Sequence, residues 1–286
     1  MYCIGGIFMI KMIVMDLDGT LLNSKKEISH KTKETLLKAQ ENGIQLVLAS
    51  GRPHSGMIDY GYELKMDTYD GYLISYNGAK LYSMKTQKTI WEEFIPKHDA
   101  KKILDYLENF DCIPMIQDDV YTYVNNVYKT IDIENQNNMN IIEYESRNGK
   151  YLLCEKKHLG DDLNFHIYKI LIAGNPNYLQ EYHKEMSEPF INEYNAMFTA
   201  PFYYEFTHKK ADKGLALKAC ITRVGITLDE VIGFGDDLND LPFLEMIENS
   251  VAMANNNPMI KDKVNDYCLS NEEDGIAVYL KEKNII

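Results

Sequence analysis

IKMIVMDLDGT, residues 10–20, passes from an apolar run into two aspartates and a turn. The nearly continuous apolar run at residues 10–15 is typical of a strand buried on both faces, as in a parallel sheet. Burial and mutual repulsion disfavour the ionised forms of Asp16 and Asp18, which follow this strand directly. A divalent cation would relieve both effects, whereas an ordinary turn, for which Asp-Gly-Thr is also suited, needs no cation. The segment alone fits either interpretation.

Strand and helix patterns alternate near both ends of the chain. Further buried strands are predicted at residues 44–49, 72–75 and 231–235, and helices at residues 29–42 and 213–224. Gly43 and Gly225 stand where these two helices should end. The alternation predicts an α/β fold with a Rossmann-like parallel sheet and helices on both faces of that sheet.

The middle of the chain has a different pattern. Residues 96–110 have the apolar spacing of an amphipathic helix, and residues 121–124 and 141–144 alternate as antiparallel strands do. We therefore predict an inserted α+β domain over residues 84–207. The core domain would be built from residues 1–83 and 208–286 together.

The composition limits the partners and the location of the protein. The 286 residues include 30 Lys and Arg against 43 Asp and Glu, which gives a formal net charge of −13. We expect neither nucleic acid nor a membrane as a partner, because both are usually bound by basic patches. The five cysteines are odd in number and far apart, which suits a reducing cytoplasm. Residues 1–10 lack a basic region, so we expect a ragged N-terminus with the true start at Met9 or Met12, and no signal peptide.

Polar clusters follow four of the predicted strands. The clusters are Asp16/Asp18/Thr20, Ser50/Gly51/Arg52, Asn77/Gly78 and Asp236/Asp237/Asn239/Asp240. Ligands of an open parallel sheet bind outside the carboxyl ends of its strands, so we expect the four clusters to meet in one crevice. Oxygen ligands at strand ends suit Mg²⁺, which often also binds a substrate phosphate. Helix capping explains one or two of the polar residues at 236–240, but not four of them in five positions.

The Ser50-Gly51-Arg52 segment is a candidate for binding an anion. Ser50 supplies a hydroxyl, and the turn at Gly51 exposes backbone N–H groups that can hold a phosphoryl oxygen. Arg52 either clamps an anion or pairs with an acid.

Lys213 is a second cationic candidate. Asp212 is a suitable N-cap, which places Lys213 in the first turn of its helix, where a cation opposes the helix dipole. A role in function would explain this unfavourable choice, by holding a phosphate and offsetting nearby carboxylates. An exposed surface lysine is the simpler alternative, and Lys209 and Lys210 are rival candidates.

Six motifs, in this order, resemble the haloacid dehalogenase (HAD) superfamily of phosphohydrolases, and more narrowly its Cof-type branch with a class IIB cap. The motifs are DLDGTLL at residues 16–22, Ser50 within ASGRP at 49–53, YNGA at 76–79, Lys213 within ADKG at 211–214, GDDLND at 235–240 and VAMAN at 251–255. They span most of the predicted core domain. The inserted domain matches this branch by position and size.

The resemblance implies a Mg²⁺-dependent phosphatase that acts on small phosphorylated metabolites, such as sugar phosphates. Asp16 would be the nucleophile that forms an aspartyl-phosphate, and Asp18 would be the general acid and then the general base. The carboxylates of Asp16 and Asp236 and the backbone carbonyl of Asp18 would bind Mg²⁺, with Asp240 in support.

The resemblance also implies how the substrate is held. Ser50 and Lys213 would bind the phosphoryl oxygens. The further residues expected at the substrate phosphate are Leu17, Gly51, Arg52, Asn77 and Asn239. The inserted domain would be a mobile cap that selects the leaving group. We expect a monomer or a weak homodimer whose partner is a small-molecule substrate.

Three other functions compete with a phosphatase. A phosphomutase would keep the fold and return the phosphoryl group to another hydroxyl, so only the phosphatase would release inorganic phosphate. A response-regulator-like receiver also places an aspartate, a Ser or Thr and a Lys on a parallel sheet, but receivers are much shorter and have no use for Asp18 as an acid. A catalytically silent binding protein would not need Asp16, Asp18, Lys213 and Asp236 together.

Overall fold

A computed structural model describes residues 9–133 and 136–286 of the chain. Most of the predicted ragged N-terminus, residues 1–8, lies outside the described residues. The strands are β1 (Met12–Met15), β2 (Gln45–Ala49), β3 (Tyr72–Ser75), β4 (Lys80–Ser83), β5 (Lys88–Glu92), β6 (Ile113–Gln117), β7 (Tyr121–Val124), β8 (Ile131–Ile133), β9 (Gln136–Met139), β10 (Leu152–Glu155), β11 (Lys169–Ala173), β12 (Tyr194–Ala200), β13 (Tyr203–His208), β14 (Val231–Gly235), β15 (Asn249–Ala252) and β16 (Asp266–Tyr267). The α-helices are α1 (His30–Glu41), α2 (Ile58–Glu63), α3 (Lys97–Leu107), α4 (Ile141–Gly149), α5 (Pro176–Ser187), α6 (Lys213–Val224), α7 (Leu241–Leu244) and α8 (Gly275–Glu282).

Contacts within the chain define two compact units. Unit 1 consists of Met1–Arg52, Met57–Glu92 and Asp212–Ile286, and unit 2 consists of Pro53–Gly56 and Glu93–Ala211. The role of the middle of the chain as a cap, and the domain boundaries at 83/84 and 207/208, stay predictions.

Unit 1 is built on an eight-stranded sheet. Its strand order is β16-β15-β14-β1-β2-β3-β4-β5. The six strands from β16 to β3 are parallel, and β4 and β5 extend the sheet in antiparallel fashion. Strand β1 lies between β14 and β2, so the aspartates that follow β1 and β14 leave the same edge of the sheet.

Both faces of the sheet are buried at β1, as the apolar run at residues 10–15 predicts. Met12 and Val14 pack in one apolar cluster with residues of α6 and α7. Ile13 and Met15 pack in a second cluster with residues of α1 and α8. The predicted α/β fold, a parallel sheet with helices on both faces, is therefore confirmed.

Several predicted elements have the bounds that the structure shows. The strands predicted at 72–75 and 231–235 are β3 and β14, and the helix predicted at 213–224 is α6. In α1, Ser29 caps the N-terminus by accepting from Thr32 N, and Asn42 is the C-cap residue. Strands β1 and β2 begin slightly later than predicted, at Met12 and Gln45.

Unit 2 contains a six-stranded sheet and a separate two-stranded sheet. The six strands have the order β10-β7-β6-β11-β13-β12, and β8 pairs with β9. Helices α3 and α5 contribute buried residues to a cluster on one face of the larger sheet, whereas Ile141 and Ile142 of α4 belong to a cluster on the other face. The predicted mixture of helices and antiparallel strands is present in this unit.

The strand predicted at residues 141–144 is wrong, because these residues begin helix α4. The side chain of Asn140 accepts a hydrogen bond from Glu143 N at 3.0 Å and so caps the helix, which ends at the left-handed residue Lys150. The helix buries Ile141, Ile142, Glu145, Ser146 and Gly149. The spacing of these buried residues is helical, but a window of only four residues cannot distinguish it from the alternation of a strand.

Two further expectations concern location. Among the described residues, no helix has both the length and the apolar character needed to cross a membrane. The four described cysteines are free thiols, at Cys112, Cys154, Cys220 and Cys268.

Candidate active site

Three aspartates meet at the carboxyl edge of the unit 1 sheet. Asp16 directly follows β1, and Asp236 directly follows β14, the strand that pairs in parallel with β1. Asp240 lies just beyond Asp236 at the end of a short 3₁₀ turn. One carboxylate oxygen from each of the three lies within 4.8 Å of those of the other two. These residues, here called the acidic trio, converge as the positions of the strand ends predict.

Lys213 is buried within this group. Its Nζ donates to Asp16 Oδ1 and to Asp240 Oδ1, both at 2.7 Å, and its side chain is 0% exposed. The alternative of a surface lysine is therefore wrong. Asp212 caps α6 by accepting from Leu215 N at 2.9 Å, which places Lys213 in the first helical turn as predicted. The rival candidates Lys209 and Lys210 are exposed and belong to unit 2.

Asp240 has two structural roles at once. While its Oδ1 accepts from Lys213, its Oδ2 accepts from the backbone N–H groups of Asp236 at 2.9 Å and Asp237 at 3.1 Å. The helix-capping interpretation of this residue is therefore correct, and the ion pair with Lys213 is an additional contact. The same side chain fixes the loop that carries Asp236 and positions the ammonium group beside Asp16.

The charges of the site favour a divalent cation. Three carboxylates and one ammonium group give a formal charge of −3 + 1 = −2 when all are ionised. Burial raises the pKa of Asp16 well above its usual value, although the ammonium of Lys213 opposes this shift. Burial also raises the pKa of Asp236 to about 7, against the effect of its hydrogen bond from Thr20. A cluster of oxygen ligands that resists ionisation in the absence of a cation fits Mg²⁺.

The turn after β1 approaches the carboxylate of Asp236 closely. Thr20 Oγ1 donates to Asp236 Oδ1 at 2.7 Å. Gly19 has a φ of +83°, and a Cβ atom at this position would lie 2.3 Å from Asp236 Oδ2. Both the left-handed backbone and the lack of space therefore require glycine here.

We expect Gly19→Ala to impair Mg²⁺ binding through displacement of the Asp236 carboxylate. Gly43→Ala is the matched control, because Gly43 has a φ of +88° and no neighbour within 4 Å of its added Cβ. Each variant should lose about 1 kcal/mol of unfolding free energy through backbone strain, and Gly19→Ala should lose more because its Cβ also displaces Asp236. Only Gly19→Ala should lose Mg²⁺ affinity, by about 10- to 100-fold, as measured by titration calorimetry. Equal Mg²⁺ affinities in the two variants would show that the close approach has no role.

The carboxylate of Asp18 is not one of the acidic trio and is bound by two cationic side chains. Arg52 binds it through both ends of the guanidinium, with Nε donating to Oδ2 at 2.6 Å and Nη2 to Oδ1 at 2.7 Å. Lys26 Nζ also donates to Oδ1 at 2.6 Å. Burial would raise the pKa of Asp18, but the hydrogen bonds and charges of Arg52 and Lys26 together outweigh it and lower this pKa. The expectation that the ionised form of Asp18 is disfavoured is therefore wrong. Of the two alternatives for Arg52, the structure shows the pairing with an acid. The contact of the Asp18 backbone carbonyl with Mg²⁺ stays a prediction.

The loops after β2 and β3 contact each other beside this group. Asn77 N donates to Ser50 O at 3.0 Å, and Ser50 Oγ accepts from Arg52 N at 3.2 Å. Asn77 is left-handed, with a φ of +54°, and its Oδ1 accepts from Asn239 Nδ2 at 3.1 Å. A Cβ added to Gly51 would lie 3.0 Å from Asn77 Oδ1. Hydrogen bonds thus join four of the residues that were predicted to hold the substrate, from three separate segments: Ser50, Arg52, Asn77 and Asn239.

Leu17 differs from the other predicted substrate residues. Its side chain is fully buried in the apolar cluster with Ile13 and Met15. Any contribution to substrate binding would therefore come from its backbone.

Three residues that contact the site were missed in the sequence. Lys26 binds Asp18, Tyr60 OH donates to Lys26 O at 2.9 Å, and Asn255 Nδ2 donates to the backbone oxygen of Gly19 at 2.8 Å. Asn255 ends the VAMAN motif, so that motif could have indicated it. Lys26 and Tyr60 fall in none of the six motifs.

Comparisons with known proteins agree with this geometry. Residues 13–280 match the haloacid dehalogenase-like hydrolase family. The Bacillus subtilis (strain 168) protein YxeH, provisionally named a phosphatase, is 30% identical over 96% of this chain and 98% of its own. YitU of the same organism, named a 5-amino-6-(5-phospho-D-ribitylamino)uracil phosphatase, is 27% identical over 95% of this chain and 96% of its own.

Solved structures give the same result for the fold. A haloacid dehalogenase-like hydrolase from Bacteroides thetaiotaomicron has a TM-score of 0.87 and 30% identity, covering 96% of this chain and 99% of that chain. A sugar phosphatase of HAD subclass IIB, 22% identical with a TM-score of 0.75, covers 96% of this chain and 100% of its own and shows the shared fold.

The chain therefore belongs to the haloacid dehalogenase-like hydrolases, in the Cof-type branch. It is an enzyme of the hydrolase class, and its relatives support phosphatase activity. The family match excludes the receiver alternative.

Proposed function

We propose that the chain is a Mg²⁺-dependent phosphatase that hydrolyses small phosphorylated metabolites, sugar phosphates among them, through an aspartyl-phosphate on Asp16. The observation that carries this proposal is the arrangement around Asp16. A buried ammonium group and two further carboxylates surround one aspartate at the carboxyl edge of a parallel sheet. Once a divalent cation offsets the formal charge of −2, such a group suits a carboxylate nucleophile that must approach an anionic substrate.

The residues present fit a bound Mg²⁺. The carboxylates of Asp16 and Asp236 would hold it, together with the backbone carbonyl of Asp18 in our proposal, and Asp240 would support these ligands. When bound, the ion would offset the negative charge of these carboxylates and of the phosphoryl oxygens.

In the first step, a carboxylate oxygen of Asp16 attacks phosphorus, and the bond from phosphorus to the leaving oxygen breaks. Lys213 and Ser50 hold the phosphoryl oxygens, and the ammonium of Lys213 already lies 2.7 Å from Asp16 Oδ1. Asp18 takes up a proton before this step, against the effect of Arg52 and Lys26, which favour its ionised form. It gives that proton to the leaving alkoxide, so the product is a neutral alcohol. Most of the catalysis then comes from positioning and electrostatic stabilisation.

In the second step, water replaces Asp16 on phosphorus. Asp18, which is ionised after the first step, takes a proton from the attacking water. The bond between phosphorus and Asp16 breaks, and the carboxylate and inorganic phosphate are released. Arg52 and Lys26 adjoin Asp18 and favour its ionised form, which this step requires.

The names of related proteins and the negative net charge of the chain support the proposed substrate class. YitU is named for a phosphorylated ribitylaminouracil and a structural neighbour for sugar phosphates, so small phosphorylated molecules are the common feature. The acidic chain also disfavours a nucleic-acid substrate. In our proposal residues 84–207 form the cap that selects the leaving group, and the enzyme acts in the cytoplasm as a monomer or a weak homodimer.

Removal of divalent cations should stop phosphate release, and Mg²⁺ should restore it. We propose to follow inorganic phosphate released from 4-nitrophenyl phosphate and from a panel of phosphorylated metabolites, before and after chelation. In a parallel thermal unfolding experiment, Mg²⁺ should stabilise the wild type and have a smaller effect on Asp236→Asn, which lacks one carboxylate of the trio. Turnover that persists without metal would contradict the cofactor assignment. Rearranged substrate without phosphate release would favour the phosphomutase.

A further inference from the structure

Both oxygens of the Asp18 carboxylate are occupied by cations. Oδ2 accepts from Arg52 Nε, and Oδ1 accepts from Arg52 Nη2 and from Lys26 Nζ, all at 2.6–2.7 Å. Hydrogen bonds between ionised groups at such distances are strong and directional. The orientation of Asp18 is therefore set by the positions of these two cationic side chains.

Tyr60 connects the two cationic residues. Its hydroxyl donates to the backbone oxygen of Lys26 at 2.9 Å and accepts from Arg52 Nη1 at 3.5 Å. The guanidinium carbon of Arg52 lies 5.6 Å from the centroid of the Tyr60 ring, within the range of a cation–π contact. Lys26 has a left-handed backbone, with a φ of +61°, in the conformation in which its oxygen accepts from Tyr60. Tyr60 thus contacts both partners of Asp18.

The two parts of the Tyr60 side chain have separate roles. Its ring is partly buried and packs against the apolar cluster that contains Met57 and Leu64. Its hydroxyl makes the polar contacts with Lys26 and Arg52. Replacement by phenylalanine therefore removes the polar contacts and keeps the packing.

We propose that Tyr60 is a positioning residue for proton transfer, which acts through Arg52 and Lys26 to orient the carboxyl group of Asp18 toward the leaving oxygen. The proposal rests on the proposed function, in which Asp18 protonates that oxygen as its bond to phosphorus breaks. Tyr60 touches neither the substrate nor the acidic trio in this account. Tyr60 contributes by fixing the positions of Arg52 and Lys26, which in turn orient the general acid Asp18.

Because Tyr60 orients the general acid in this proposal, the rate loss on replacing Tyr60 should depend on the leaving group. The 4-nitrophenolate ion is stable and leaves without a proton, whereas unsubstituted phenolate is more basic and gains more from protonation by a general acid. A residue that only stabilises the fold would slow both reactions equally. A residue that orients the acid slows the reaction of the more basic leaving group more strongly.

Tyr60→Phe tests this difference with a series of substituted phenyl phosphates of similar size. We expect kcat/KM to fall about 10-fold for phenyl phosphate and less than about 2-fold for 4-nitrophenyl phosphate, because a slightly misplaced acid transfers its proton less efficiently. Tyr62→Phe is the matched control, since Tyr62 lies on the same helix and its side chain is 44% exposed. It should change neither value.

Lys26→Met provides a second test of the same pathway. It should give the same dependence on the leaving group, and the double variant with Tyr60→Phe should lose less than the product of the two single losses. Equal losses for all leaving groups, or no loss, would overturn the role of Tyr60 while the proposed function stands. Absence of phosphate release by the wild-type protein from every ester would overturn the proposed function itself, and this inference with it.

Discussion

Asp16→Asn should abolish turnover and leave the folded structure intact. The amide oxygen can still accept from Lys213 Nζ, which the wild-type Oδ1 does at 2.7 Å, but the amide cannot form the acyl phosphate. Burial raises the pKa of Asp16, so a neutral side chain is well tolerated at this position. We expect kcat to fall on the order of 10⁴-fold or more.

Chemical trapping identifies the nucleophile directly. Wild-type enzyme that is quenched in acid during turnover and then reduced with borohydride should carry homoserine at position 16, since borohydride reduces an acyl phosphate. Asp67→Asn, which replaces a half-buried aspartate elsewhere in unit 1, should retain activity and serves as the control. Full turnover by Asp16→Asn, or a label on another residue, would remove the assignment of Asp16.

Lys213→Met should cost both activity and stability. The substitution leaves Asp16 and Asp240 buried without the ammonium group that now lies 2.7 Å from each of them. The loss of one partner from such a buried group costs about 3–5 kcal/mol of unfolding free energy. The loss of a charged donor to the phosphoryl group should also lower kcat by about 10²- to 10³-fold. Thermal unfolding and phosphate release measure the two effects.

Adding Mg²⁺ to the Lys213→Met variant tests whether the unpaired carboxylates cause its loss of stability. Because the cation would neutralise the same carboxylates, saturating Mg²⁺ should recover part of the stability that Lys213→Met loses, but not the activity. The matched control is Lys218→Met, on the exposed side of the same helix, and it should change neither property. A Lys213→Met variant as stable and as active as this control would show that the buried ion pairs have no role.

The parts of the site that lie at strand ends could be predicted from the sequence. Asp16 and Asp236 follow two buried strands, and parallel pairing brings the ends of these strands together. The position of Lys213 followed from Asp212 as an N-cap and the helical pattern after it. The predictions for these residues rest on local sequence patterns and on the rule that ligands bind at the carboxyl ends of parallel strands.

The surroundings of Asp18 could not be predicted in this way. Tyr60 lies on the short helix α2, and Lys26 lies in a turn whose left-handed backbone a lysine rarely adopts. Their contacts with Arg52 and Asp18 depend on tertiary packing and not on a periodic pattern. The error at residues 141–144 has a related cause, because the burial of Glu145 and Ser146 that completes the helical repeat depends on packing within unit 2.

The hydrogen bond between Thr20 and Asp236 joins residues that lie 216 positions apart in the sequence. A ribosome therefore completes β1 and its aspartates long before it makes β14, the strand beside which they must lie. Under the proposed function, the growing polypeptide cannot hydrolyse a phosphoester until Asp236 and Asp240 have emerged, because two carboxylates of the acidic trio are still missing. Such long-range pairing also slows folding, so the proposed activity of a newly synthesised molecule would begin only when β14 has paired with β1.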